Sequence, residues 1–359
     1  MSTSSNYPRS VQITVHLDAI LHNYQLMRDK AGTKTFAIVK ADAYGHGADG
    51  VASYLANVAD GFAVVTVGEG IGLRDAGVTN PILVIQGPQD DNDIDAIYEH
   101  GLWPALHDES QIEQVLAHRN AIDIEPWLKV DTGMGRLGVS VESAEKHLQQ
   151  NQLRWHGVMS HLATADEPEN PFTNTQSERL EKLVAARDLE SSLANSAAVL
   201  AWPNTVRRWA RVGIGLYGSH PIANSTAAES NLKPAMSVQA PLVSVKRLGA
   251  GHSIGYGQTY RCSEDMCVAY AAIGYADGVP RVLDSTADVL IHGVRCPIIG
   301  RVSMDTIAID CQNLIKPPAL GDLVTLWGPD QPVERLAIAA GTISYELLTR
   351  VRGRRIYTD

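Results

Sequence analysis

Short apolar runs recur along the first two thirds of the chain, each followed by a stretch whose apolar positions fall three or four apart. F-A-I-V-K, Phe36 to Lys40, precedes Val51, Leu55 and Val58 at helical spacing; G-F-A-V-V precedes G-E-G-I-G-L-R-D-A, and P-I-L-V-I-Q precedes D-N-D-I-D-A-I-Y. The rhythm continues through W-P-A-L-H, P-W-L-K-V-D, W-H-G-V-M-S-H, S-S-L-A-N-S and R-W-A-R-V-G, giving eight strands between residue 36 and about residue 218. Apolar strands alternating with helices imply parallel strands covered on their faces, and eight such units favour a closed (β/α)8 barrel over an open sheet. After about residue 236 the texture changes. Val243 and Val245 alternate with Ser244 and Lys246, I-H-G-V reads as a tight hairpin turn, and D-L-V-T-L-W-G adds a strand. The pattern predicts a barrel over residues 10–235 and a mainly β domain over 236–359, joined by segment 1–9 as an N-terminal strand.

In a (β/α)8 barrel the chemistry gathers at the C-terminal ends of the strands. The residues found there are Lys40, Asp131, His161, Asn195 with Ser196, and Arg211. A lysine at the start of a solvated loop is commonplace, but one delivered by an apolar strand to the mouth of a barrel is desolvated. Its pKa falls and its amine is freed for Schiff-base chemistry. Tyr44 follows within one short loop, and Gly45 and Gly47 allow tight turning before a helix whose first amides attract anions. A-R-V-G-I-G-L-Y-G, Ala210 to Gly218, lacks the full dinucleotide fingerprint. It lies where barrels commonly hold a phosphate, although a tight turn accounts for it equally well. A reactive lysine with a phosphate site fits pyridoxal phosphate, and it also fits aldolases acting on sugar phosphates.

Composition narrows the partners. Thirty basic against 40 acidic residues leave a formal charge of −10, which argues against nucleic acid, and R-G-R-R at 352–355 reads as a solvated or ion-paired tail. Cys262, Cys267, Cys296 and Cys311 have neither C-x-x-C spacing nor nearby paired histidines, so reduced thiols are expected and no metal site. The N-terminus lacks a basic-then-apolar secretion pattern, and no apolar run approaches the ~18 residues of a membrane span. The reading is a cytoplasmic protein.

V-K-A-D-A-Y-G-H-G, L-K-V-D-T-G-M-G-R-L-G, S-H-L-A-T-A-D, N-S-A-A, R-V-G-I-G-L-Y-G, G-Y-A-D-G-V-P-R, G-R-V-S-M-D and T-I-S-Y-E-L-L closely resemble successive motifs of the alanine racemases. They stand in family order and span nearly the whole chain. The resemblance implies a pyridoxal 5'-phosphate enzyme that interconverts L- and D-alanine for peptidoglycan, built as a homodimer with shared active sites. It implies that Lys40 bonds the cofactor, that Tyr44, Ser196, Gly213, Ile214 and Tyr345 surround its phosphate, and that Asn195 lies beside it. His161 would lie near the ring and hydrogen-bond toward Arg211, which faces the pyridine nitrogen. Arg136 would approach the cofactor's phenolic oxygen and the substrate carboxylate, while Tyr275, Met304 and Asp305 come from the partner chain. One departure is Leu162 after His161, where many relatives carry an aromatic residue.

Racemisation removes the α-proton from one face and returns one to the other, so two bases on opposite faces suffice, and the resemblance supplies Lys40 on one and Tyr275 on the other. A tyrosine with an ordinary pKa near ~10 needs help to act near neutrality, and His161 with cationic Arg211 would supply it. Arg211 opposite the ring nitrogen also weakens the electron sink, which favours racemisation over transamination. Lys129 and Arg136 would repel each other, and in many relatives the matching lysine is carbamylated; the same is expected here. Competing readings are a serine or broad-specificity racemase of the same fold, and a non-catalytic cofactor-binding protein. Decarboxylases of basic amino acids fit less well, because they place a cysteine and an acid where Tyr275 and Arg211 stand.

Overall fold

The computed structural model describes residues 9–222 and 225–359. These divide into two compact units, one of residues up to Ala19 together with Lys233–Asp359, the other Ile20–Leu232. The barrel unit thus begins at Ile20 and not at residue 10. Strand β1 (Gln12–His16) belongs to the β unit because apolar Ile13 and Val15 alternate with Gln12, Thr14 and His16, the period-2 pattern of a half-buried strand. The expected strand at 1–9 lies, except for Arg9, outside the described residues.

In the barrel unit, eight parallel strands close on themselves: β2 (Lys34–Ile38), β3 (Gly61–Val64), β4 (Ile82–Val84), β5 (Trp103–Leu106), β6 (Trp127–Lys129), β7 (Gly157–Met159), β8 (Glu190–Ser192) and β9 (Trp209–Val212). Each coincides with one of the apolar runs. Pairing of β2 with β9, Phe36 opposite Arg211, closes the ring. The interior is packed with aromatic rings, Phe36 stacking on Trp209 at 4.0 Å and meeting Trp127 edge-on at 6.0 Å. Glycines make room for them: a Cβ on Gly61 would lie 3.0 Å from Phe36, and one on Gly157 2.9 Å from Trp127.

In the β unit, an eight-stranded sheet runs in the order β13-β16-β15-β14-β17-β10-β1-β18, with β13 also pairing with β10. These strands are β10 (Met236–Leu248), β13 (Met266–Ala271), β14 (Asp288–Ile291), β15 (Val294–Ile299), β16 (Ile307–Asp310), β17 (Leu323–Trp327) and β18 (Arg354–Thr358). A separate two-stranded ribbon pairs β11 (Ser253–Ile254) with β12 (Tyr260–Arg261). His292 at φ 52° and Gly293 at φ 78° make the hairpin turn between β14 and β15. The arginines of the basic C-terminal run are exposed, as a solvated segment requires, and its last two residues open β18, parallel to β1, with Arg354 N–H donating to Val11 O at 2.9 Å. Ile254, Cys262, Met266, Val268, Ile299 and Ala308 form a core cluster.

Candidate active site

Lys40 stands at the end of β2, where the backbone does something unusual. Ala41, Asp42, Ala43 and Tyr44 have φ between 50° and 55°, a turn of left-handed helix made without glycine. Each such residue costs roughly 1–2 kcal/mol, so the neighbourhood must hold the turn in place. Glu69 does much of this. Its Oε1 accepts from Ala41 N–H at 2.8 Å, while its Oε2 accepts from Val65 N–H at 2.7 Å and Thr66 N–H at 3.3 Å. Thr66 returns a bond from Glu69 N–H at 3.2 Å, completing a capping box on the helix Val67–Asp75. Asp42 Oδ1 accepts from Ala48 N–H at 2.9 Å at the start of the next helix.

The loops after β2 and β9 meet at Tyr44. Its hydroxyl lies so close to Gly213 that a Cβ there would sit 2.7 Å from it, and its ring stacks on Tyr217 at 4.9 Å. Buried Ser196 opens the helix Ser196–Ala201, and Asn195 caps that helix by accepting from Ala198 N–H at 3.0 Å. Ser196 Oγ accepts two amides, Gly213 N–H at 2.9 Å and Gly215 N–H at 3.3 Å. A hydroxyl has two lone pairs and one hydrogen. With both lone pairs engaged, Ser196 is left to donate. Ile214 begins the short turn Ile214–Tyr217 at the same place.

Arg211, on β9, is buried. It donates through Nη1 to Ser192 Oγ at 2.6 Å, and through Nη2 to Ser160 O at 2.6 Å, Leu193 O at 3.2 Å and His161 Nδ1 at 3.2 Å. A guanidinium has no acceptor, so His161 Nδ1 accepts and its neutral ring carries the proton on Nε2. Burial, reinforced by Arg211, Arg136, Lys129 and Lys40, holds the His161 pKa well below its ordinary value. Burial also lowers Arg211 to about 10, which leaves it cationic at neutrality. Lys40 is lowered by burial and then by Arg136, with Glu69 opposing and Arg211 adding. Buried Lys129, at the end of β6, is lowered to about 8 by burial, then by Arg211, Arg136 and Lys40.

The barrel mouth therefore gathers Lys40, Lys129, Arg136, His161 and Arg211 within one electrostatic neighbourhood. Asp131 is a loop anchor. Burial alone would raise its carboxyl, but the amides of Gly133, Gly135 and Met134, at 2.8–2.9 Å, outweigh this and hold it below the ordinary value. Leu162, the residue after His161, is buried. The remaining expected residues lie in the β unit. Tyr275 begins the turn Tyr275–Asp277 and is 39 % exposed, Met304 and Asp305 are exposed on the neighbouring loop, and Tyr345 is half-buried in the helix Ser344–Arg350.

Two residues that support the site escaped the sequence reading. Glu69 had a signal, T-V-G-E at 66–69, which is a capping-box pattern. Gln176, fully buried on the helix Phe172–Val184, had none. It donates to His161 O at 3.0 Å and Thr132 Oγ1 at 3.3 Å and accepts from Ala163 N–H at 2.8 Å, fixing the backbone that carries His161.

A surplus of cations, a hydroxyl left to donate and a glycine pressed under a tyrosine hydroxyl suit a phosphate-bearing group with a carbonyl for Lys40. The residues fit pyridoxal phosphate. Fold and site together define a closed (β/α)8 barrel with a desolvated lysine and a cluster of cations at its mouth. The chain matches the alanine racemase N-terminal domain over residues 15–221 and the alanine racemase C-terminal domain over residues 235–357. It belongs to the alanine racemase family. It is 42% identical to the alanine racemase of Thioalkalivibrio sulfidiphilus over 355 residues, covering 96% of this chain and 98% of that protein. The crystal structure of biosynthetic alanine racemase from Pseudomonas aeruginosa superposes with a TM-score of 0.93 at 39% identity, covering 98% of this chain and 100% of that one. The alanine racemase of Bartonella henselae, described with covalently bound pyridoxal phosphate, gives 0.89 at 29% identity over the same shares. Among the described residues no helix is long and apolar enough to cross a membrane, and no group of histidine, cysteine or carboxylate side chains is placed to hold a metal ion.

Proposed function

We propose that this protein interconverts L- and D-alanine as a pyridoxal phosphate-dependent isomerase. The observation that carries the reading is Lys40, desolvated among cations at the closing pair of barrel strands, with the Ser196 hydroxyl free to donate at the same pair. When bound, the cofactor delocalises the electron pair left at the α-carbon. Lys40 would hold it covalently. Tyr44, Asn195, Ser196, Gly213 and Ile214 would hold its phosphate, with Tyr345, and Arg136 would take the substrate carboxylate. Arg211 stays cationic and therefore donates to whatever faces it, while His161 stays neutral and accepts from it.

The α-proton is taken on one face and delivered on the other, with Lys40 and Tyr275 as the two bases. Tyr275, Met304 and Asp305 act from the partner in a homodimer. Their exposure supports this, since large apolar side chains such as Tyr275 and Met304, 39 % and 52 % exposed, mark a surface that a second subunit covers. Lys129 is carbamylated: at a pKa of about 8 its neutral amine attacks CO2, forms an N–C bond, loses a proton and becomes an anion that braces Arg136. The enzyme works in the cytoplasm, where its four cysteines remain thiols, and supplies D-alanine to the cell wall.

The test is an amino-acid panel. Purified protein with pyridoxal phosphate is incubated with each L-amino acid, and D-enantiomer, CO2 and keto acid are measured. Fast formation of D-alanine, with other amino acids slow and no CO2, is expected. Comparable racemisation of many amino acids would overturn the alanine specificity, and bound cofactor without turnover would overturn the activity.

A further inference from the structure

Arg9, just ahead of β1 in the β unit, takes part in neither the sheet nor the barrel chemistry, yet its guanidinium spans two loops. Its Nε lies 2.6 Å from Asp277 Oδ1, its Nη2 donates to Asp277 Oδ2 at 3.0 Å, and the same Nη2 reaches Asp305 Oδ1 at 2.6 Å. Asp277 is fully buried, and its Oδ2 also accepts from Gly274 N–H at 2.9 Å. A buried carboxylate of this kind requires a cation; Nη2 hydrogen-bonds both carboxylates while Nε faces Asp277 Oδ1 as an ion pair without a hydrogen bond, a reach across three oxygens that suits a planar guanidinium.

What the clamp joins is specific. Asp277 ends the turn that begins with Tyr275, and Asp305 follows Met304. The two segments already touch through backbone: Tyr275 N–H donates to Ser303 O and Ala276 N–H to Met304 O, both at 3.0 Å. They lie so close that a Cβ on Gly274 would come within 2.4 Å of both carbonyl oxygens. Two backbone bonds fix the separation of the segments. The Arg9 ion pairs add a charged tie between the far end of the turn and the residue after Met304.

We propose that Arg9 is a positioning residue for the reaction, aiming the Tyr275 hydroxyl by clamping Asp277 to Asp305. The inference rests on the reading of Tyr275 as the second base. Small misplacements of a reacting group are costly, an ångström being worth up to ~10²-fold in rate.

The experiment uses holoenzyme and four variants: Arg9→Met, Arg9→Lys, the double Arg9→Met with Asp277→Asn, and Tyr275→Phe. Rates and α-deuterium isotope effects on kcat/KM are measured from both L- and D-alanine. Arg9→Met is expected to lower kcat roughly ten- to hundredfold. It raises the isotope effect for the enantiomer whose proton Tyr275 removes and lowers it for the other. Arg9→Lys recovers part of the rate, and the double variant recovers stability without recovering the rate. A purely structural loss scales both rates by the active fraction and leaves both isotope effects unchanged. That result, with Tyr275→Phe inactive, would overturn the clamp alone. Wild-type rates in Tyr275→Phe would overturn the base assignment and the clamp's catalytic role with it.

Discussion

Replacing Lys129 with methionine should stabilise the barrel, and by an amount that depends on pH in a defined way. Lys129 is 4 % exposed, and burial together with Arg211, Arg136 and Lys40 lowers its pKa from 10.5 to about 8. Between those two values the unfolded chain binds a proton that the folded protein has released, so stability rises with pH across this window. Below about pH 8 both states are protonated and the full cost of the buried charge is present. At about 1.4 kcal/mol per pKa unit that cost is roughly 3 kcal/mol. Lys129→Met keeps most of the apolar stem and removes the charge. The assay is urea unfolding of both proteins at pH 7, 8, 9 and 10 in CO2-free buffer. The variant should be the more stable by up to about 3 kcal/mol at pH 7, with the advantage fading by pH 10. Bicarbonate should then stabilise the wild type and not the variant, because carbamylation converts the offending cation into a partner for Arg136. If the two proteins track each other within about 0.5 kcal/mol at every pH, the buried-cation reasoning is wrong.

Gly213→Ala places a Cβ 2.7 Å from the Tyr44 hydroxyl; overpacking of about 1–3 kcal/mol should weaken cofactor binding roughly tenfold or more in a spectrophotometric titration, and unchanged affinity would contradict the cradle. Glu69→Ala removes the acceptor for Ala41 N–H and one half of the capping box. It should cost about 1–2 kcal/mol in urea unfolding and lower kcat more than it raises KM, because the left-handed turn carrying Lys40 loses its tether.

The barrel was legible because most of its strands are buried and read as apolar runs, F-A-I-V-K and P-I-L-V-I-Q among them; β8, Glu190–Ser192, is polar and was marked by its place in the rhythm. Q-I-T-V-H alternates as a half-buried strand does, but nothing local in it records that β1 pairs with β10 and β18, more than 200 residues away along the chain. The strand-end rule pointed to Lys40, His161 and Arg211, which lie within two residues of the ends of β2, β7 and β9 and share one electrostatic neighbourhood. It also returned Asp131, whose carboxylate is consumed by backbone amides. The left-handed turn was hidden: A-D-A-Y contains no residue that demands positive φ, and the conformation is imposed from outside by Glu69 and the helix that follows. Gln176 and Arg9 were hidden for a related reason. Their roles arise from contacts 13 to 296 residues away along the chain, which a local pattern does not record.

The central claim is proton removal and return by two different groups on opposite faces, and exchange with heavy water tests it most directly. L-alanine is converted in D2O and the D-alanine formed in the first few per cent of reaction is analysed by mass spectrometry. Two bases require nearly all of that D-alanine to carry deuterium at the α-carbon, with the remaining L-alanine still largely protiated. A substantial fraction of D-alanine retaining its original proton would mean that one group served both faces, and the assignment of Lys40 and Tyr275 as a pair would fail.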